Sequence, residues 1–229
     1  MNARRRILAA SLAAATLALL GPQVHAQAPK VLKISHQFPG GSIDEGDFRD
    51  RMLRKFAAEV EKRTNGQLKF EIYPGGSLVK PVEQWGAMAN GSLDLSLYPL
   101  AYAGGRVPEL NIGLMPALVT SYEQGLRWKD APIGKELTRI VEEKGVKIIT
   151  WVWQAGGIAS RGKPILQPDD VKGLKFRGGS KEMDMMLKAA GASPTNVPSS
   201  EIYNAMQSGV LDAALTSSTS LISFRLHEH

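Results

Sequence analysis

One fifteen-residue pattern occurs twice in this chain, and it constrains the fold more than any other feature. Glu83 to Leu97 (EQWGAMANGSLDLSL) and Glu201 to Leu215 (EIYNAMQSGVLDAAL) share seven residues in the frame E-x-x-x-A-M-x-x-G-x-L-D-x-x-L. Each copy reads as the last turns of a helix, stopped at Gly91 or Gly209, then a buried strand opening with Leu93-Asp94 or Leu211-Asp212. Glycine suits the left-handed residue past a helix end, where a Cβ would clash with the backbone. A strand with the same opening precedes each copy, Leu68-Lys69-Phe70 and Leu174-Lys175-Phe176. The two intervals differ, 106 and 118 residues, so the chain is not a regular solenoid array. Two similar α/β units imply two lobes, and the cleft between two lobes is a usual place for a small-molecule site.

Residues 1–26 read as an export signal and not as fold. Arg4, Arg5 and Arg6 open it, Ile7 to Leu20 is uncharged and apolar, and Val24-His25-Ala26 ends it with the small residues that signal peptidase accepts. That run of 14 residues is too short to span a bilayer. The mature chain is therefore expected to start near Gln27, outside the cytoplasm, in the periplasm. With no cysteine, neither a lipoprotein anchor nor a disulfide framework is available.

Removing three arginines and no acids takes the formal net charge from +6 to +3. The remaining basic residues are interleaved with acids, as in Arg49-Asp50-Arg51 and Glu59-Val60-Glu61-Lys62-Arg63. Such a pattern reads as a solvated helix face and argues against nucleic acid as a partner.

Hydrophobic periodicity predicts strand 31–36, then helix 45–64 with Phe48, Met52, Phe56 and Val60 on one face, then strand 68–73. After the first repeat helix comes strand 93–98, and the Gly- and Pro-rich stretch 102–116 reads as loop. A helix over 122–144 and a strand over 146–153 complete a first lobe of residues 27–153. The second lobe, 154–229, carries a strand near 157–161, a turn at 167–170, strand 174–177, helix 181–190 and the second repeat. Strands alternating with helices make this an α/β fold with largely parallel pairing.

The run Lys163-Pro164-Ile165, then Asp169-Asp170-Val171-Lys172-Gly173-Leu174-Lys175-Phe176-Arg177, resembles the central signature of DctP-type solute-binding proteins. Gly191-Ala192-Ser193-Pro194, Ser200-Glu201-Ile202-Tyr203, Phe56-Ala57-Ala58-Glu59-Val60, Tyr73-Pro74 and Asn90-Gly91-Ser92-Leu93-Asp94 extend the likeness. These are the extracytoplasmic receptors of tripartite ATP-independent periplasmic (TRAP) transporters. The resemblance implies a two-lobed periplasmic-binding-protein-like fold (type II-like) that closes over an organic acid and delivers it to membrane permease subunits. It also implies about a hundred further residues, so the chain is expected to be truncated at its C-terminus and the second lobe incomplete.

In the resembled family the arginine ending the Lys-Gly-Leu-Lys strand grips the ligand carboxylate, and that position is Arg177. A guanidinium offers two parallel N–H donors to a carboxylate and stays charged at any relevant pH. Gly178 and Gly179 would let backbone approach a ligand closely. A second family arginine falls at Gly157, so Arg161, four residues on and on the same strand face, is the candidate replacement. Thr216 stands where the family often has an asparagine that hydrogen-bonds the ligand.

Strand ends supply the remaining candidates: Gln37 and Phe38 after the first strand, Tyr98 and Tyr102 after the fourth, and Trp153 by strand parity with Gly157. An apolar wall with one charged end predicts an aromatic or branched monocarboxylate as ligand. Nothing resembles a nucleophile elbow, a P-loop or a dinucleotide fingerprint, so no enzyme and no cofactor is expected. His227-Glu228-His229 lacks the spacing of a helical zinc pair. A periplasmic module that signals to a receptor is the alternative to transport.

Overall fold

The computed structural model describes residues 28–229, and within them each copy of the repeated pattern closes the same local circuit. In the first copy the amide of Leu93 donates to the carbonyl of Ala87 (3.1 Å), and Asp94 Oδ2 accepts from the amide of Lys33 (2.8 Å). In the second, the amide of Leu211 donates to Ala205 (2.9 Å) and Asp212 Oδ2 accepts from the amide of Lys175 (2.8 Å). Gly91 and Gly209 turn the chain at φ 78° and 75°, the left-handed geometry that favours glycine. The signal expected at 1–26 lies outside the described residues.

Around these circuits the two lobes repeat one order of elements. The first runs β1 (Lys30–His36), α1 (Phe48–Arg63), β2 (Leu68–Tyr73), α2 (Gln84–Ala89) and β3 (Leu95–Leu97). Next come α3 (Tyr122–Arg127) and α4 (Pro132–Glu143), which cover the first lobe. The second lobe runs β4 (Gly156–Ser160), β5 (Lys175–Arg177), α5 (Lys181–Ala189), β6 (Ser193–Pro194), α6 (Ile202–Gln207), β7 (Ala213–Ser217) and α7 (Ser218–Ser223). The sheets are ordered β2-β1-β3 and β4-β7-β5-β6. All pairs are parallel except β4 with β7, where Gly156 faces Ser217 and Ser160 faces Ala213.

Register corrects one reading of the sequence. Because Lys33 and Lys175 make the same bond to the same repeat aspartate, the counterpart of Leu174-Lys175-Phe176 is Leu32-Lys33-Ile34 in β1. Leu68-Lys69-Phe70 lies in β2, whose counterpart is β6.

The elements otherwise follow from local chemistry, with four departures. Asp47 caps α1 by accepting from the amide of Arg49, so the helix starts at Phe48 and not at Glu45. The line buried along α1 is Arg49, Leu53 and Ala57 with Asp50, while Phe48, Met52, Phe56 and Val60 are half-buried; Arg49-Asp50 is not a solvated face. The helix expected over 122–144 breaks between α3 and α4, where Pro132 takes the first helical position and has no N–H to continue a helix through it. Residues 146–153 have no ladder partner among the described residues and are not a strand; Ile148, Trp151 and Trp153 pack on the first-lobe core instead.

That core joins Trp85, Ala103, Val107, Leu110, Trp128, Leu137 and Val141. The stretch read as loop at 102–116 therefore contributes three core residues, held in the short 3-10 turns Leu100–Ala103 and Pro108–Leu114 and the link between them. The second lobe has two clusters on opposite faces of its sheet, one around Ile202, Met206 and Leu211 and one around Phe176, Leu187 and Ala192.

Candidate functional site

β1 and β5 occupy equivalent places in the two lobes, and Tyr102 bridges Gln37, just past β1, to Arg177 at the end of β5. Crevices beyond the carboxyl ends of parallel strands are where open α/β sheets bind ligands. The end of β5 is Arg177, only 4% exposed. Its Nε donates to the carbonyl of Val197 (3.0 Å) and its Nη1 to that of Leu215 (2.7 Å), which orients the guanidinium plane. Nη2 points at the first lobe, within 3.2 Å of the Tyr102 hydroxyl and 3.4 Å of Ser199 Oγ.

Gly179 is what lets the side chain lie this way. A Cβ there would stand 2.7 Å from Arg177 Nη1, and the residue's φ of 98° is strained for any other side chain. Gly179 thus makes room for the arginine itself, while Gly178 abuts Asp184 at the start of α5. Burial pushes the Asp184 carboxyl up from its ordinary value, against the pull of the Gly178 amide and the Arg177 charge.

The Tyr102 hydroxyl is the centre of the junction. It accepts from the amide of Ser199 (2.9 Å), lies 3.1 Å from Ser199 Oγ, and lies 3.3 Å from both the oxygen and the nitrogen of the Gln37 amide. Tyr98 supports it edge-on, with ring centroids 6.0 Å apart at 87°. Burial pushes the Tyr98 phenol far up, and its own hydroxyl has no hydrogen-bond partner among the described residues.

A second cross-lobe contact stands beside the first. Arg49, 1% exposed, forms a two-point pair with Asp47 (Nε to Oδ1 2.8 Å, Nη2 to Oδ2 2.6 Å). Its Nη1 reaches Ser220 Oγ (3.1 Å) in the second lobe, and its guanidinium lies 3.7 Å from the centre of the Phe38 ring. Burial opposes ionisation of Asp47, yet the bonds from Arg49 hold its carboxyl below the usual range. Next to it, His36 Nδ1 accepts from the amide of Phe38 (3.2 Å), which leaves Nε2 to donate to Asp50 Oδ1 (3.0 Å). Burial pushes this imidazole below its ordinary value, against the pull of the Asp50 carboxylate.

Of the residues singled out in the sequence, Arg177, Tyr102 and Gln37 come together, with Tyr98 behind them. Thr216 follows Leu215, whose carbonyl holds Arg177, and its buried hydroxyl has no partner among the described residues. Such an orphan costs on the order of 1–3 kcal/mol. Phe38 stacks on Arg49 instead of lining open space.

Two candidates are not brought in. Arg161 is exposed, because β4 ends at Ser160 and the antiparallel register carries it to the opening of β7, beside Gly209 and Asp212. Gly157, where a second arginine was sought, faces Leu221 of α7 at 3.0 Å from an added Cβ. Trp153 belongs to the first-lobe core, 5.1 Å from Trp128 and 6.3 Å from Trp151, with Gly125 pressed against its ring. Sequence reasoning does not single out Ser199 or Arg49. Ser199 contributes a main-chain N–H, which no side-chain pattern advertises; Arg49 looked like one charge in a solvated run.

Residues 42–229 match the family described as bacterial extracellular solute-binding protein, family 7, DctP. A solute-binding protein of Albidiferax ferrireducens is 66% identical over 197 residues, 86% of this chain and 58% of that protein. The C4-dicarboxylate-binding periplasmic protein DctP of Rhodobacter capsulatus is 30% identical, over 98% of this chain and 66% of that protein. The crystal structure of a TRAP periplasmic solute-binding protein from Rhodoferax ferrireducens with bound malonate superposes with a TM-score of 0.85 at 66% identity, covering 86% of this chain and 62% of that one. The chain thus spans about three fifths of the length of these relatives. Matched over most of its length, it belongs to the DctP family of bacterial extracellular solute-binding proteins.

Proposed function

We propose that this chain is the ligand-binding part of a periplasmic receptor that closes residues 27–153 and 154–229 over a small organic acid and passes it to TRAP permease subunits. The observation that carries the reading is Arg177, a buried guanidinium at the end of β5 whose Nη2 faces the opposite lobe. A carboxylate is the natural partner of such a group, because a charge-assisted bond is roughly twice as strong as a neutral one. Arg177 would hold the acid, Ser199 and Thr216 would hydrogen-bond it from the same lobe, and Gln37 would meet it from the other. No step of this scheme breaks a bond in the ligand, which is what a receptor and not an enzyme requires.

The ligand proposed is a compact acid of malonate or succinate size. The aromatic wall that would have favoured a ring is otherwise engaged: Trp153 in the core, Tyr98 behind Tyr102, and Phe38 under Arg49. The malonate in the 66% identical relative supports the same size class. Calorimetry with malonate, succinate and phenylpyruvate tests it. Binding of malonate or succinate, lost in Arg177→Lys, is the expected result; binding of phenylpyruvate alone would overturn the size class, and full affinity in Arg177→Lys would overturn the anchor.

A further inference from the structure

We infer that the Tyr102 hydroxyl is a built-in stand-in for one ligand oxygen, and that displacing it sets which ligands the site accepts. The inference rests on the carboxylate-receptor reading above. A phenolic oxygen has two lone pairs and one proton. Here the lone pairs face Arg177 Nη2 (3.2 Å) and the Ser199 amide (2.9 Å), and the proton has Gln37 Oε1 (3.3 Å) or Ser199 Oγ (3.1 Å) to go to. A cationic donor and a main-chain donor converging on one point form a cradle suited to an anionic oxygen. A neutral oxygen delivered by the opposite lobe lies in it.

The equivalent place in the first lobe shows that the cradle is not a by-product of the repeated fold. Arg177 corresponds to Ser35 and Ser199 to Pro81, so that lobe has neither the guanidinium nor the N–H. Ser35 lies instead 3.3 Å from Gln84 Nε2, whose Oε1 accepts from Ser96 Oγ (2.7 Å), and the group is satisfied within its own lobe. At these matched positions the second lobe leaves two donors aimed across the cleft and the first leaves none among the described residues.

A selectivity rule follows. A ligand must remove the tyrosine oxygen before it reaches Nη2 and the Ser199 amide. An alcohol or amide oxygen replaces one neutral acceptor by another and gains nothing, whereas a carboxylate replaces it by a charged one and gains. Tyr102 therefore filters acids from their neutral analogues and lowers the affinity for every acid by the same amount. Removing its hydroxyl should raise affinity, the opposite of what removing a ligand-holding group does.

The test uses the chain with malonate and its neutral analogue malonamide as probes. Tyr102→Phe should bind malonate at least about tenfold more tightly, one tenfold step being about 1.4 kcal/mol, and should acquire measurable malonamide binding. Ser199→Pro, which copies Pro81 and deletes the shared N–H, should weaken malonate. Unchanged or weaker malonate binding in Tyr102→Phe would overturn the inference, because the hydroxyl would then be inert or ligand-holding. Hydrogen exchange at the Ser199 amide without any acid present gives a readout independent of ligand identity. It should be slow in the wild type and faster in Tyr102→Phe, and equal exchange in both would overturn the stand-in contact. If no protein binds malonate while the exchange difference is present, the receptor reading for this acid fails and the contact stands.

Discussion

The two lobes share a chain path and differ in what they place at the end of the same strand. β1 and β5, α1 and α5, β2 and β6, α2 and α6, and β3 and β7 correspond, and the repeat aspartates Asp94 and Asp212 tie β1 and β5 at identical distances. At the strand end the first lobe has Ser35, absorbed into bonds with Gln84, and the second has Arg177, aimed outward. The first lobe gives its buried charge a partner at once, pairing Arg49 with Asp47. The difference teaches that the scaffold is set by the repeated helix-glycine-strand unit, while recognition is set by the residue next to it.

The sharpest way to break this asymmetry is at Arg177. Arg177→Lys keeps the charge and loses the planar fork, and should cost about 2–5 kcal/mol of ligand binding, roughly 30- to 5,000-fold in calorimetry. Ser35→Ala at the matching position should leave acid binding unchanged. Equal losses at the two positions would show that both lobes hold the acid.

Gly179→Ala should act next most strongly. The new methyl would meet Arg177 Nη1 at 2.7 Å from a backbone held at φ 98°, a conformation that costs a non-glycine residue about 1–3 kcal/mol. Denaturant unfolding should show that loss, and acid affinity should fall with it because the fork must shift.

The equivalence of the lobes is tested by their aspartates. Asp94→Ala and Asp212→Ala each remove one bond of 2.8 Å to a strand amide, worth about 1 kcal/mol. Similar losses in urea unfolding are expected, and a loss confined to one variant breaks the correspondence.

The smallest effect is the pH response of the first lobe. His36 is pushed below its ordinary value of 6.5 in the fold, so on acidification the unfolded chain takes up the proton first. Its contribution is complete above that value and is lost as pH falls below it, by at most about 0.7 kcal/mol between pH 7 and pH 6. Chemical unfolding at the two pH values should show this slope, and His36→Gln should flatten it.

Much of the architecture could be read from residues alone because the repeat carries its own punctuation. Gly91 and Gly209 mark the helix ends, although the strands open just past the Leu-Asp pairs, at Leu95 and Ala213, and Arg177 stands within the run that resembles the family signature. Other features were hidden for physical reasons. On α1 the lines 48-52-56 and 49-53-57 have the same spacing, and an arginine is read as exposed unless its buried partner is known; Asp47 is that partner. Strand parity misplaces Trp153 and Arg161, because residues 146–155 join no ladder among the described residues and β4 stops at Ser160. Ser199 acts through its amide, and the only trace was a proline, Pro81, at the matching place in the other repeat.

The indole cluster of the first lobe has an optical consequence. All four tryptophans of the chain, Trp85, Trp128, Trp151 and Trp153, precede the second lobe, and the last three lie with ring centroids 5.1–6.3 Å apart. Intrinsic emission excited at the red edge therefore comes from one lobe alone, and the stacked chromophores should give coupled near-ultraviolet dichroism that vanishes when that lobe melts. The other half of the molecule is dark at this wavelength. Any stage of unfolding visible in far-ultraviolet dichroism but silent in tryptophan emission can be assigned to the lobe that carries Arg177.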